Sequence, residues 1–465
     1  MAIRFGTSGW RAVIADEFTF AGVRRVTEAI CTHFGNEVGV NKSMIVGHDT
    51  RFLGEHFAAE CAGIVSAKGF RALLCDEPTP TPVIAHAIRT ENAICGINFT
   101  ASHNPPEYNG MKLSTADGAP ALPEVTRHVE SLISKLSPGV NDVAVQKASY
   151  ERYSPRLAYL AELENKINFD VIYQAGGTYG YDPLWGTGRG YLDQALRLHG
   201  VQVETIHDWR DVLFGGRAPE PEASHLEELR NLVLSRGCVL GLATDGDGDR
   251  FGVIDSNGAF ITPNQLIALL FDYLAESRKW DGGVARSVAT SHLVDRVAAA
   301  RKLPVYETPV GFKYIGELIN EDKIILGGEE SAGLSIKGHY PEKDGILACL
   351  LAAEAVAARG ASLTAQLDAL YARVGKLESA RIGVRLTPQL MTSLNEKLKQ
   401  EASEIGGRQV KETNRMDGVK FIFADGSWLL LRPSGTEPLV RIYAESESSK
   451  DLEVLLEQGR KYLLG

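Results

Sequence analysis

Short apolar runs that stop at polar, glycine-bearing loops recur along this chain. Met44–Gly47 leads to His48-Asp49-Thr50-Arg51, and Ala93–Phe99 leads to Thr100-Ala-Ser-His-Asn-Pro-Pro106. Val171–Gln174 precedes a Gly- and Tyr-rich turn and then Gly186-Thr-Gly-Arg-Gly190. Val239–Ala243 leads to Thr244-Asp-Gly-Asp-Gly-Asp-Arg250, and Lys323–Leu326 to Gly327-Gly-Glu-Glu-Ser-Ala-Gly333. These β-rich runs predict strands. Between them, Leu226–Leu234 and Asn264–Leu274 carry apolar residues three and four apart, which predicts helices. Strands alternating with helices argue for α/β domains with largely parallel sheets. Ligands of such sheets sit beyond the strand ends, where these loops fall. After Lys420 the pattern changes to the closely spaced strands Phe421–Ala424, Trp428–Leu431 and Leu439–Ala444, then a helix from about Lys450. That end reads as a smaller α+β domain.

A chain of 465 residues exceeds one ordinary core and suggests roughly three or four domains. The best boundaries are Pro138-Gly139, the turn Gly215–Pro221 and the segment after Val374. The expected divisions are α/β domains at 1–150, 151–255 and 256–374, with mixed, largely parallel sheets, and an α+β domain at 375–465. No low-complexity linker separates them, so they are expected to pack together. No sequence period is strong enough to claim a repeat. Apolar residues make up 44% and charged residues 23%, as in globular proteins, and 47 glycines imply many tight turns.

The most apolar stretch, Ile346–Ala358, is interrupted by Glu354 and is too short to span a bilayer. Residues 1–9 read as a loop rather than an apolar signal region. Six scattered cysteines fit reduced thiols, so a cytoplasmic location is expected. A net charge of −10 without a Lys/Arg tract argues against nucleic acid and anionic membrane as partners. Phosphates stay accessible to such a protein if Arg and Lys concentrate at one site.

Ser102 follows an apolar run in a loop that Asn104, Pro105 and Pro106 keep from becoming a helix. A hydroxyl beside His103, with Lys112 ten residues on, suits a nucleophile that needs a proton acceptor and cationic surroundings. The same pair also fits an ordinary Asx-type turn. Asp245, Asp247 and Asp249 alternate with glycines, and three converging carboxylates repel unless a cation lies between them. An EF-hand is excluded, because Arg250 stands where its sixth-position glycine belongs and Ser256 where its Glu belongs. Oxygen donors alone suit Mg²⁺, and a solvated acidic turn is the other reading.

Leu431-Arg-Pro-Ser-Gly-Thr-Glu-Pro438 offers a guanidinium, two hydroxyls and a glycine, the donors a phosphate dianion needs, although a β-turn also fits. Gly6-Thr-Ser-Gly-Trp-Arg11 has similar ingredients and alone reads as a turn. Glu329-Glu-Ser331 offers acceptors to a hydroxyl-rich ligand or, alternatively, a glycosidase carboxylate pair. Neighbouring positions on an extended loop point apart, so one of the two acids is expected to face the site. Lys343, in Pro341-Glu-Lys-Asp-Gly345, is a further candidate cation or a surface-loop residue.

The Thr100–Pro106 loop, the Asp245–Arg250 loop, Gly328-Glu-Glu-Ser-Ala-Gly333 and Arg432-Pro-Ser-Gly-Thr-Glu-Pro438 occur in order at wide intervals. Together they resemble the α-D-phosphohexomutase family, of phosphoglucomutase/phosphomannomutase type, over essentially the whole chain. The resemblance implies three related α/β domains and a smaller fourth. It implies a phosphorylated Ser102, and Mg²⁺ held by Asp245, Asp247, Asp249 and a phosphoserine oxygen. Arg250, Glu329 and Ser331 then match substrate-binding positions, the last two in a sugar-contacting loop. Arg432, Ser434, Gly435 and Thr436 match the loop for the non-reacting phosphate. Arg11, His103, Lys112 and Lys343 match basic catalytic positions near the transferred phosphoryl group.

Glu330-Ser-Ala-Gly333 and Pro341-Glu-Lys-Asp-Gly345 are closest to phosphoglucomutases. The implied substrates are glucose phosphates, with mannose phosphates as the alternative and glucose 1,6-bisphosphate as intermediate and activator. The expected protein is an isomerase, a monomer or weak dimer whose partner is a hexose phosphate. Two other classes stay open: a phosphatase with Asp245 as nucleophile, and a silent sugar-phosphate-binding protein.

Overall fold

The computed structural model describes residues 3–6, 8–39, 42–136, 149–433 and 439–464. Four sheets organise them. The first runs in the order Trp10–Val13, Tyr108–Thr115, Cys95–Phe99, Ser43–His48, Arg71–Cys75, Glu151–Tyr153. Ser43–His48 is parallel to both of its neighbours, whereas Tyr108–Thr115 runs antiparallel to Cys95–Phe99. The second sheet places Leu240–Thr244 parallel to Thr178–Asp182 and antiparallel to Phe251–Asp255. In the third, Ile324–Glu329 is parallel to Gly283–Ser287 and antiparallel to Gly333–Ile336. The fourth is antiparallel throughout, with Trp428–Pro433 between Val419–Phe423 and Leu439–Ser446. Three α/β sheets of mixed direction and one antiparallel C-terminal sheet are thus the architecture.

The same unit occurs in each of the first three sheets. A parallel strand ends in a loop, and the chain returns as an antiparallel neighbour. The three loops carry Ser102, the alternating aspartates, and Glu330 with Ser331. Chemistry therefore collects at one kind of place, where a strand stops and its polar successors are free of ladder bonds.

One expected strand is a helix. Val171–Gln174 lies inside the helix Phe169–Ala175, and the strand of that region is Thr178–Asp182. The Asn168 side chain caps the helix by accepting from the Val171 N–H at 3.2 Å. Phe169 and Ile172, three apart, bury together. Gly176 and Gly177, at φ of 70° and 85°, then reverse the chain into the strand.

Helices elsewhere follow their patterns. Phe20–Val38 is capped by Thr19, whose Oγ1 accepts from the Gly22 N–H at 3.1 Å, and buries Val23, Val26, Ile30 and Phe34. The apolar stretch at 346–358 is the helix Gly345–Arg359, buried on nearly every side as it packs against elements of the second and third sheets. Glu354, the one charged residue between 346 and 358, is fully buried and satisfied by Arg278, the Tyr273 hydroxyl and the Asn168 N–H. Among the described residues no single helix is long and apolar enough to cross a membrane.

The second and third sheets share an apolar core that reaches from Val83, on the helix Thr81–Thr90, to Leu377, and each has a smaller cluster besides. Phe260–Ile261 also pairs with Val253 and Ile254 of the second sheet. A division at 255/256 therefore falls within continuous packing, ahead of a strand belonging to the earlier sheet. Pro138-Gly139 lies outside the described residues. The first and fourth sheets have their own cores.

Candidate active site

Ser102 sits in the turn after Cys95–Phe99 with a left-handed backbone, φ 52°. Its N–H donates to Thr100 Oγ1 at 2.8 Å, and its Oγ donates to Asp245 Oδ2 at 2.7 Å, across 143 residues of sequence. His103 Nδ1 lies 3.3 Å from the same Oγ. The two loops touch closely because Gly246 has no side chain. A Cβ there would sit 2.7 Å from the Ser102 carbonyl oxygen.

Asp245, Asp247 and Asp249 are all buried, and one carboxylate oxygen from each lies within 4.8 Å of the others. Lys112 Nζ donates to Asp247 Oδ2 at 2.6 Å and to Asp249 Oδ2 at 2.7 Å. Thr81 Oγ1 also donates to Asp247 Oδ2, at 2.6 Å. Lys343 Nζ is 3.2 Å from Asp249 Oδ2. Asp247 Oδ1 and Asp249 Oδ1 are buried without a hydrogen-bond partner. Buried carboxylate oxygens without donors are costly, so this oxygen-only cluster fits a hard divalent cation.

The three acids differ electrostatically. Burial, then repulsion from Asp247 and Asp249, pushes the Asp245 carboxyl well above the usual range. Burial acts on Asp247 too, but Lys112 and Thr81 outweigh it and leave that carboxyl below its usual range. Burial at Asp249 is outweighed by Lys112, Lys343 and Arg250, and its carboxyl lies far below. Burial, with the positive Arg250 and Arg11 nearby, pushes His103 well below its ordinary value. Both effects favour the neutral imidazole. Lys343 stays charged, because Asp249 and Glu342 outweigh its burial.

Arg11, on Trp10–Val13, donates from Nη1 to Asn104 Oδ1 at 2.8 Å, and its Nε is buried without a partner. The Arg250 N–H donates to Asp245 Oδ1 at 3.1 Å, and its Nη1 to Glu220 at 3.3 Å. Both Asp245 oxygens are therefore occupied, unlike those of a free nucleophile. Ser102, His103, Arg11, Lys112, Lys343, Arg250 and the three aspartates form one cluster.

The sugar-loop candidates divide. Glu329 ends its strand buried, accepting from the Gly311 N–H at 2.8 Å, and burial with Glu330 nearby raises its carboxyl to about 7. Glu330 accepts from Ser287 Oγ at 3.2 Å and Thr290 Oγ1 at 3.4 Å. Glu330 and Ser331 line a cavity together with Arg250, Arg381, Trp428 and Tyr443. Of this adjacent pair, Glu330 lies on the cavity wall, which Glu220 and Glu222 also line, while Glu329 faces the Gly311 turn within the field of Lys343.

Arg432 Nε donates to Asp417 Oδ2 at 2.9 Å, and the same oxygen accepts from the Val310 N–H at 3.0 Å. This holds the strand Trp428–Pro433 of the fourth sheet against the turn that also binds Glu329. Ser434, Gly435 and Thr436 lie outside the described residues.

Sequence reasoning missed Thr81 and Arg51. Thr81 opens a helix after Pro80 and reaches Asp247 from 166 residues away, with its backbone N–H on the Asp247 carbonyl at 2.9 Å. Arg51 lies in a strand-end loop that the pattern did mark, but nothing local showed what it binds.

Comparison with known proteins identifies the family. Residues 2–139, 157–258, 262–374 and 389–460 match, in turn, the models for alpha/beta/alpha domains I, II and III and the C-terminal domain of phosphoglucomutase/phosphomannomutase. The probable phosphoglucosamine mutase of Methanothermobacter thermautotrophicus is 32% identical over 99% of this chain and 97% of that protein. The phosphoglucomutase/phosphomannomutase of Thermococcus kodakarensis is 30% identical over 99% and 98%. The crystal structure of a putative phosphomannomutase from Thermus thermophilus is 34% identical, covers 100% of both chains and superposes with a TM-score of 0.87. With four domain models matched in order along the chain, and relatives about 30% identical over nearly its whole length, this chain belongs to the phosphoglucomutase/phosphomannomutase family of α-D-phosphohexomutases, a family of isomerases.

Proposed function

We propose that this protein interconverts glucose 1-phosphate and glucose 6-phosphate through phosphorylated Ser102 and a glucose 1,6-bisphosphate intermediate. The observation that carries this reading is Ser102 Oγ at 2.7 Å from Asp245, inside a buried acidic cluster flanked by Lys112 and Lys343. The family supports phosphoryl transfer on a hexose. Glu330-Ser-Ala-Gly333 and Pro341-Glu-Lys-Asp-Gly345 support glucose. Mannose phosphates are the second reading, favoured by the likeness to the Thermus protein.

Asp245, Asp247, Asp249 and a phosphoserine oxygen would hold Mg²⁺, which neutralises charge on the transferred group. Arg11, Lys112 and Lys343 surround that group with further positive charge. His103, beside Oγ, is placed to take the proton of the attacking sugar hydroxyl, whose oxygen bonds to phosphorus as the Ser102 Oγ–P bond breaks, and the imidazolium then returns a proton to the departing Oγ 3.3 Å away, which leaves the serine hydroxyl and a neutral histidine. Arg432 and its loop hold the phosphate that does not react. The bisphosphate must then turn end for end so that Ser102 recovers a phosphoryl group from the other position. An enclosed site keeps water from taking it.

The test is a coupled assay of glucose, mannose and glucosamine 1-phosphates with enzyme stripped of its Ser102 phosphate. Stripped enzyme is expected to be inactive on glucose 1-phosphate alone and to recover when a trace of glucose 1,6-bisphosphate is added. Preference for another hexose would overturn the glucose assignment. Release of inorganic phosphate without any need for bisphosphate would overturn the mutase reading.

Arg432 should matter beyond its charge, because a guanidinium grips two phosphate oxygens whereas lysine offers one mobile point charge. Arg432→Lys is expected to raise KM and lower kcat/KM about 10- to 100-fold, the size of one or two charge-assisted hydrogen bonds. Unchanged kinetics would move the phosphate site elsewhere, with the loop Gly6–Arg11 next in line.

A further inference from the structure

Beneath the Ser102 turn lies a buried cation with no part in the chemistry above. Arg51 is fully buried. Its Nε donates to Asp49 Oδ2 at 3.1 Å. Nη1 donates to the carbonyls of Pro105 at 2.8 Å and Tyr108 at 3.0 Å, and Nη2 to those of Ser102 and Asn104, both at 2.6 Å. A guanidinium has five N–H groups, and all five are used. Four point at the backbone of one loop, the loop that presents the reacting hydroxyl.

A second arm comes from the same ion pair. Asp49, also fully buried, accepts from the Arg51 backbone N–H at 2.9 Å, and after burial, which raises its carboxyl, Arg51 and then the Thr100 hydroxyl act to lower it. Thr100 Oγ1 in turn accepts from the Ser102 N–H at 2.8 Å. Ser102 is thereby gripped at its carbonyl by Arg51 and at its N–H through Thr100, on either side of its left-handed φ. The second domain supports the pair from below. The Phe214 ring centre lies 5.0 Å from the Arg51 guanidinium carbon, and Arg210 donates to the Thr50 carbonyl at 3.2 Å while pairing with Glu55.

The geometry points to Arg51, with Asp49 and Thr100, as the positioning device that holds the Ser102 turn in its left-handed conformation and aims Oγ at Asp245. This rests on reading Ser102 as the phosphoryl carrier. A buried ion pair is a weak source of stability, since desolvation offsets much of its attraction. A planar fork that fixes four carbonyls at once has a stronger rationale in placing a reacting atom, where an error of about 1 Å costs about 100-fold in rate. Lysine keeps the charge but has three donors on a flexible stem and cannot hold all four carbonyls together with Asp49.

The experiment compares wild type and Arg51→Lys as full-length phosphorylated enzymes, normalised to folded protein, on whichever hexose phosphate the wild type prefers. The variant is expected to lose about 100-fold in kcat with KM within about threefold, because no group that touches substrate has changed. Intact-mass measurement should also show its Ser102 phosphate hydrolysing faster than that of the wild type. A lower Tm with kcat per folded molecule unchanged would show a purely structural role and overturn the inference. If Arg51→Lys does not fold, Thr100→Val tests the other arm. It removes the acceptor of the Ser102 N–H and is expected to lower kcat about 10-fold at constant KM; unchanged kcat would overturn the inference. A wild type with neither phosphate on Ser102 nor mutase turnover would overturn the carrier reading itself. Normal wild-type turnover with an unaffected Arg51→Lys removes only the positioning role.

Discussion

Ser102→Ala is expected to give a folded protein whose mutase turnover is lower by on the order of 10⁴-fold or more, the scale of losing a covalent nucleophile. The Asp245 carboxylate has two partners here, the Ser102 hydroxyl and the Arg250 N–H, so deleting Oγ leaves no second hydroxyl to take its place. The structural cost is one buried hydrogen bond, about 1–3 kcal/mol, set against the extensive core of that domain. Alanine inherits φ 52°, a conformation serine already tolerates in this turn. Intact-mass measurement should show one phosphate on the wild type and none on the variant. Turnover by the variant within tenfold of the wild type would remove Ser102 from the mechanism.

Chelation is the second large effect. Excess chelator is expected to abolish turnover, and Mg²⁺ to restore it. Asp247→Asn should lower kcat/KM by about 10²- to 10³-fold at a fixed Mg²⁺ concentration and shift the metal requirement upward. Lys112 and Lys343 neutralise part of the acidic cluster. Asp247 Oδ1 and Asp249 Oδ1 still lack donors, and a cation is what would satisfy both. A readout independent of turnover is the thermal shift on adding Mg²⁺, positive in the wild type and reduced in Asp247→Asn. Full activity in excess chelator would give the aspartate loop a structural role alone.

Much of the site was legible from the chain because its parts are local. Alternating Asp and Gly from 245 to 249, the Ser-His-Asn-Pro turn and the Gly-flanked acidic pair are each encoded within a few consecutive residues. Each also follows an apolar run that stops abruptly. Spacing alone could pair them with strand ends, and their order carried the family resemblance. The closely spaced C-terminal strands were equally readable, because short apolar runs separated by a few residues leave no room for helices between them.

Other features arose only when distant segments met. Val171–Gln174 is short and β-branched enough to suggest a strand, yet the Asn168 cap and the burial of Phe169 with Ile172 make it helical. Tertiary burial outweighs propensity in a run that short. Which of Glu329 and Glu330 reaches the cavity depended on Gly311, Ser287 and Thr290, donors from other loops. The threefold strand–loop–strand unit shows in the sheets because backbone pairing is shared where side chains are not. Sequence by itself determined which loops carry hydroxyl, carboxylate and cation. Tertiary structure alone decided that Ser102 meets Asp245, that Thr81 steadies Asp247 and that Arg51 grips the turn, because hydrogen bonds between segments 51 to 166 residues apart leave no periodic trace in the chain.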